Sequence, residues 1–401
     1  MTHDLHISED VRMSSTLAVV MHKVGAASER FIERHVRESF GGNTVVVARR
    51  SGARPAFEQP LLVADEVRGG PASLLCAWPQ QLSAFVRHRY WGVPAGHERK
   101  RILHFWQQHG VTAVLAEFGP LGCWIAPVAV AAGLPVFVYF RGYDASSRLR
   151  SAGSVQAYQR LMQQVDGVFA VSAFLVENLR RVGVVHPNTH VLPSGTNPEL
   201  FRPGVKDAGL IVSVGRFIDK KRPQANVRAF AAAAHRWPQL RLQMVGDGPL
   251  LEPCRVLARE LGVESRVDFL GVQGHAAIAE LLSRARVFLQ HSVTAPGGET
   301  EGLPSSIQEA MAAGSVVVST RHAGIPEIVR DGENGWLVEE HEDQAYAQAL
   351  MKVFEDPQLA DAMALRAREL ALARLDTRVL QRAMEAVILK AEKVHRGERH
   401  A

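Results

Sequence analysis

Residues 295–320 read APGGETEGLPSSIQEAMAAGSVVVST, and few folds accommodate such a stretch. A glycine-rich loop, APGGETEG, closes on a leucine and a proline. Pro304 suits the first turn of a helix, where its missing N–H would have had no partner anyway. Ile307, Ala310 and Met311 then form an inward stripe at helical spacing, and Gly314 suits a left-handed stop. Val316, Val317 and Val318 follow as a strand buried on both faces. A loop of this kind feeding a helix N-terminus makes an anion site. Free N–H groups and the positive end of the dipole face whatever lies in front. Glu301 stands before the helix and Glu309 inside it. An acid beside an anion site makes little sense for phosphate alone. It makes sense for a ligand that also carries hydroxyls, as a nucleotide sugar does.

The rest of the chain alternates. Strands are predicted at residues 16–22, 44–48, 111–118, 135–140, 167–172 and 189–192, with helices at 29–39, 71–91, 97–109, 122–132, 154–164 and 173–182. Phe31, Ile32, His35 and Val36 give the first helix its inward stripe, and residues 54–67 carry no clear pattern. Residues 197–203 read as a proline-marked linker. Six further strands follow at 210–214, 240–245, 267–270, 287–290, 316–320 and 335–338. Strands alternating with helices imply parallel sheets and right-handed crossovers. The expected class is therefore α/β: two Rossmann-like, doubly wound domains in tandem, facing each other across a cleft. The expected boundaries are a disordered lead (1–14), a first domain (15–203), a second (204–375) and a helix (376–396) returning to the first domain. Asp376 is placed to cap that helix, with Val379, Leu380, Ala383, Val387, Ile388 and Ala391 on its apolar face.

Composition narrows the options. A chain of 401 residues with 47% hydrophobic content has ample core, and it contains no apolar run of about 18 residues that would span a membrane. Its first residues show no signal pattern, and its scattered cysteines fit a reducing cytoplasm. Cys76, Cys123 and Cys254 are scattered, with no metal spacing or disulfide framework. The net charge of +5 permits an anionic ligand or loose membrane contact and does not argue for nucleic acid.

Several side chains should meet at the carboxyl rims of the sheets, where such folds bind ligands. Gly215, Gly246 and Gly271 each follow a predicted strand. Arg216 and Lys221, in GRFIDKKRP, could neutralise a diphosphate without a metal; a solvated basic turn is the competing reading. The turn GDGP at Gly246 is not a dinucleotide fingerprint. In the first domain, Arg141 and Asp144 follow the strand VFVYF, and His22 follows the first strand. The seventeen histidines form no metal set, and His235, His291 and His322 read as ordinary surface or core residues.

In order along the chain stand SERFIERHV, AEFGPLG, VYFRGYDAS, VSAFLVENL, VLPSGTNPELFRP, SVGRFIDKKRP, QMVGDGPL, VDFLGVQ, the E-x7-E element from Glu301 to Glu309, and HAGIPEIVRDGENGWLV. This ordered set resembles the GT-B retaining glycosyltransferases of family four, the group with the bacterial polysaccharide and exopolysaccharide transferases. The resemblance implies that Arg216 and Lys221 hold the donor diphosphate and that Glu309 binds the ribose. It gives Glu301 and the backbone near Gly302, Leu303 and Pro304 the transferred sugar. The backbone around Val272 would meet the base, and Gly25 would approach the donor phosphates. Two positions depart from the pattern. Arg141 and Glu117 stand where histidines are common, and both lie on the acceptor side with His22 and Asp144. Since Arg cannot act as a base at neutral pH, they imply an altered acceptor pocket.

The expected activity is metal-independent transfer of a hexose-type group, with retention, from a nucleoside diphosphate sugar to a hydroxyl. A UDP-sugar is the expected donor. A sugar or lipid-linked sugar at the inner face of the cytoplasmic membrane is the expected acceptor. No cofactor beyond the co-substrate is implied. A sugar-nucleotide epimerase and a non-catalytic nucleotide-sugar-binding protein are the alternatives. Activity without an acceptor would mark the first, and binding without transfer the second.

Overall fold

Strands rich in Val, Ala, Leu and Phe leave no polar face for solvent, so they must be covered on both sides. That requirement favours parallel sheet with helical crossovers. The computed structural model describes residues 15–25, 30–52, 57–67 and 71–400. The expected lead at 1–14 and the side chains of Phe31 and Cys76 lie outside the described residues.

The chain divides into two units. The first carries strands β1 (Leu17–Lys23), β2 (Thr44–Arg50), β3 (Leu61–Val63), β4 (Ala113–Glu117), β5 (Val136–Phe140), β6 (Gly167–Ala170) and β7 (Thr189–Val191). All pair in parallel, in the order β3-β2-β1-β4-β5-β6-β7. Its helices are α1 (Arg30–Glu38), α2 (Pro71–His88), α3 (Gly96–Gln108), α4 (Gly119–Ala131), α5 (Ala152–Leu161) and α6 (Ala173–Arg181). The unreadable stretch contains β3, which at three residues is too short to show a period.

The second unit repeats the plan. Strands β8 (Asp207–Val214), β9 (Arg241–Val245), β10 (Val267–Phe269), β11 (Ala285–Gln290), β12 (Val316–Thr320) and β13 (Gly335–Val338) form a parallel sheet ordered β10-β9-β8-β11-β12-β13. Helices α7 (Pro223–Arg236), α8 (Leu251–Glu260), α9 (His275–Arg284), α10 (Ser305–Ala312), α11 (Asp343–Glu355) and α12 (Pro357–Arg374) cover it. Ile211, Leu242, Leu289, Val318, Phe230 and Tyr346 meet in its core. In each sheet the order reverses beside the unit's first strand, the switch point where such sheets bind ligands. Pro304 sits one residue earlier than expected. With φ −60° and ψ 124° it caps α10 rather than opening it.

The last helix, α13 (Thr377–His400), runs past the expected end at 396, and residues from Gln381 onward belong to the first unit. Asp376 does cap it, accepting from Arg378 N–H at 2.9 Å. The expected apolar face is corrected in part. Ile388 is buried, but Val379 and Ala383 are exposed, and the buried face carries Gln381, Met384, Glu385, Leu389 and Glu392. Three of these are polar and serve as anchors. Gln381 donates to Ser39 Oγ (2.7 Å), Glu385 accepts from the Phe40 N–H (2.7 Å), and Glu392 accepts from the hydroxyls of Ser15 and Thr112 (both 2.7 Å). A search for apolar periodicity passes over a face held by hydrogen bonds.

Candidate functional site

β8 delivers Gly215 and Arg216 to the carboxyl rim of the second sheet. Beyond them a short helical turn, Asp219–Lys221, folds Lys221 back over Gly215. A Cβ on Gly215 would meet Lys221 Cε at 3.4 Å, an ordinary contact distance, which shows how closely the lysine lies over this backbone. Gly215, Arg216, Lys221, Ser213, Asn226 and Gln290 line one hollow. Neighbouring strand ends crowd the same rim. Gly246, after β9, has φ +135°, and a Cβ there would fall 2.0 Å from the Gly215 carbonyl. Its N–H donates to the Gly271 carbonyl at 2.8 Å, and the next residue, Val272, is exposed.

Lys221 Nζ lies 3.2 Å from Glu301 Oε1, with both side chains largely buried. Burial alone would raise the Glu301 pKa, but Lys221 and then Lys220 outweigh it and hold the carboxyl at about 2. Lys221 is shifted down, because burial and the nearby Lys220 and Arg216 charges outweigh the help from Glu301. Lys220 is tied to Glu299 at 2.6 Å. Arg216 is exposed and has no bonded partner among the described residues.

A histidine sets the Glu301 loop. The Glu301 N–H donates to His322 Nε2 at 3.0 Å, so that nitrogen carries no proton. His322 Nδ1 must then hold it, donating to Glu340 Oε1 at 2.6 Å. Glu340 in turn accepts from Thr294 N–H at 2.8 Å. Next to this relay, the Gly324 N–H bonds the Gly302 carbonyl at 3.0 Å and joins the HAGIPE segment to the glutamate loop. Gly302, Leu303 and Pro304 are buried, and no side chain caps the start of α10. Glu309, on α10, is buried and accepts from His275 Nε2 at 3.1 Å. The His275 ring meets Phe201 edge-on at 5.2 Å.

The first unit holds a second charged cluster. β4 ends in Glu117 and the neighbouring β5 runs into Arg141. The guanidinium donates to Glu117 Oε2 through Nε (2.9 Å) and Nη2 (2.8 Å) and stacks 3.6 Å from the Tyr139 ring centroid. Glu117 Oε1 takes a third bond from His35 Nδ1 at 2.6 Å. Burial pushes Glu117 upward, yet Arg141 and His35 together keep it below the usual carboxylate range. Burial depresses His35 despite the carboxylate beside it. Asp144 is fully buried and accepts from the N–H groups of Gly119, Arg141 and Gly142 at 3.0, 3.0 and 2.9 Å. Burial raises its pKa against those three donors. His22 is exposed at the end of β1, its pKa lowered by burial and by Arg49 and Arg50, and Gly25 follows at φ +71°.

Of the residues singled out in the sequence, Arg216, Lys221, Gly215, Gly246 and Glu301 share one rim, and Glu117, Arg141 and Asp144 another. Sequence reasoning missed His322, His275 and His35 as partners of the three glutamates. For His322 the signal was its place at the head of HAGIPE; for His35 it was a polar residue in an apolar stripe. Among the described residues no group of three or more His, Cys, Asp or Glu is arranged to hold a metal ion. Nor is any described helix long and apolar enough to cross a membrane.

Residues 199–370 match the family model described as glycosyl transferases group 1. The chain is similar to the putative colanic acid biosynthesis glycosyltransferase WcaL of Salmonella typhimurium, 29% identical over 68% of this chain and 69% of that protein. It is also similar to the protein of the same name in Escherichia coli, 32% identical over 59% of this chain and 60% of the relative. The match thus spans only about two thirds or less of these relatives. Among solved structures, that of Anabaena HepE in complex with UDP-glucose superposes with a TM-score of 0.74 at 19% identity, over 94% of this chain and 99% of the other. The fold is GT-B, two Rossmann-like units of parallel sheet.

Proposed function

We propose, for a chain whose residues 199–370 match the group 1 glycosyltransferases, that it moves a hexose-type group from a UDP-sugar to a hydroxyl acceptor with retention of configuration. The observation that carries this reading is the rim on which Lys221 pairs with Glu301 at 3.2 Å while Arg216 stands beside them uncommitted. Arg216 and Lys221 take the diphosphate, aided by the uncapped start of α10. Glu301 and the backbone at Gly302, Leu303 and Pro304 face the transferred sugar. Glu309, oriented by His275, takes the ribose hydroxyls, and the backbone near Val272 meets the base. Gly215, Gly246 and Gly25 keep backbone close to the phosphates.

As the glycosidic bond breaks, negative charge builds on the leaving phosphate. Fixed cations and helix N–H groups are worth most at that moment. The same phosphate can take the acceptor's proton on the face where the new bond forms, so no separate protein base is needed. The cations serve the role a metal would otherwise fill, which makes the reaction metal-independent. Residues 204–375 bind the donor in this reading and residues 15–203 the acceptor, through Arg141, Glu117, Asp144 and His22. Choice of UDP is supported by the HepE complex. A saccharide on a lipid carrier suits relatives named for polysaccharide synthesis. A cytoplasmic enzyme working at the inner membrane face fits that acceptor.

Calorimetry with UDP-glucose, followed by transfer assays over saccharide and lipid-linked acceptors with and without chelator, tests this. Binding plus acceptor-dependent, chelator-resistant turnover is expected. Binding with no transfer to any acceptor, or donor altered without one, overturns it.

A further inference from the structure

Among the exposed large apolar side chains of the first unit, three share one face of a single helix. Trp78, Leu82 and Val86 recur at four-residue steps along α2 and are 63%, 49% and 63% exposed. That step keeps them on one helix face. Trp91, 48% exposed, folds back onto the same helix, its ring 4.3 Å from Phe85 and 6.3 Å from Trp78. Gln81 fixes this return, accepting from Gly92 N–H at 3.2 Å and donating to the Val93 carbonyl at 2.7 Å. The result is a continuous ridge of aromatic and aliphatic groups where a surface helix ordinarily turns polar residues outward.

Within the stretch that carries the ridge, the exposed charge has one sign. Between residues 71 and 109 the chain has five Arg or Lys residues and a single acid, Glu98, which is buried. Arg87 and Arg89 continue the ridge at the end of α2, and Arg99, Lys100 and Arg101 are exposed on α3, which packs against α2. Tryptophan flanked by cations, with no exposed acid between residues 71 and 109, is the chemistry of an interfacial helix. The ring settles at headgroup depth, aliphatic groups enter the acyl boundary, and guanidinium groups reach lipid phosphates. We propose that the face formed by Trp78, Leu82, Val86, Trp91, Arg87 and Arg89 seats this chain on an anionic phospholipid bilayer. This step goes beyond the transfer reading and needs neither donor nor acceptor.

Co-sedimentation of the full chain with vesicles tests it, comparing phosphatidylglycerol–phosphatidylcholine mixtures with phosphatidylcholine alone. Binding is expected on the mixed vesicles, weak on the neutral ones and falling with salt. Leu82→Gln with Val86→Gln should lower the partition coefficient roughly tenfold or more. Arg87→Gln with Arg89→Gln should lower it about fivefold for each charge removed. All four positions are exposed, three on the helix and Arg89 just beyond its end, so melting curves and UDP-glucose calorimetry should match the parent. Equal binding to both vesicle types, no binding, or unchanged partition in both variants overturns the proposal. So does a ridge variant that merely turns a dimer into a monomer by analytical ultracentrifugation, which would make the occupant a second copy of this chain.

Discussion

Each sheet sends an arginine out from the carboxyl end of a buried strand, and the two arginines are used differently. Arg141, after β5, is 8% exposed, stacked on Tyr139 and bonded twice to Glu117. Arg216, after β8, is exposed and unpaired among the described residues. The register explains the contrast. Glu117 is the last residue of β4 and pairs with Tyr139 on β5, two positions before Arg141, which brings a carboxylate within reach of the guanidinium. The strands flanking β8 end in Val245 and Gln290, which offer no charge. A cation at a strand end is therefore free to neutralise a phosphate only when the adjacent strands leave it without a carboxylate partner.

The largest effect expected from this contrast is on stability. Glu117→Ala strands a buried guanidinium, which should cost about 3–5 kcal/mol by urea denaturation. Replacing both partners, Glu117→Leu with Arg141→Met, should recover most of that loss, because the pair contributes little beyond an apolar filling of the same volume. Arg216→Ala, at an exposed site, should stay within about 0.5 kcal/mol of the parent. If Arg216→Ala destabilises as much as Glu117→Ala, the distinction between a tied and a free arginine is lost.

Turnover should reverse the ranking. Arg216→Ala and Lys221→Ala are expected to lower kcat by tenfold to about a thousandfold, as for removal of a charge-stabilising donor. The paired replacement at Glu117 and Arg141 should act mainly through KM for the acceptor. Steady-state kinetics at saturating donor separates the two.

Acid provides a gentler probe of the same rim. The Glu301 carboxyl sits at about 2, below its ordinary 4.5. The unfolded chain thus takes up the proton first as pH falls. The stabilisation from Glu301 is complete above about pH 4.5 and fades as pH drops towards 2. Glu301→Gln should flatten that part of the stability profile. An unchanged profile would mean that Lys221 and Lys220 do not hold this carboxylate in solution.

Much of this architecture is legible in the bare sequence, because apolar runs and glycine stops report burial directly. The second sheet's rim is legible for the same reason: Gly215, Arg216 and Lys221 follow a strand too apolar to lie anywhere but inside. Polar partnerships are harder to read. The bonds of His35 to Glu117, His275 to Glu309 and His322 to the Glu301 backbone span 21 to 82 residues, and no local period encodes them. The buried face of α13 escaped notice for a related reason. Gln381, Glu385 and Glu392 look solvated until Ser39, Phe40, Ser15 and Thr112 are brought opposite them.

The smallest effect concerns how each sheet holds its acid. In the first, His35 bonds the carboxylate itself, so the side chain is fixed directly. In the second, His322 accepts only the Glu301 backbone N–H, leaving the side chain to Lys221. His322→Phe fills the space but accepts nothing, and should cost about 1 kcal/mol of stability for the lost bond. It should also lower kcat severalfold as the Glu301 loop loosens. His322→Gln keeps an acceptor and should restore part of both. If His322→Phe changes stability but leaves kcat intact, then Lys221 alone orients Glu301, and the two sheets differ in their arginines but not in how firmly they need their histidines.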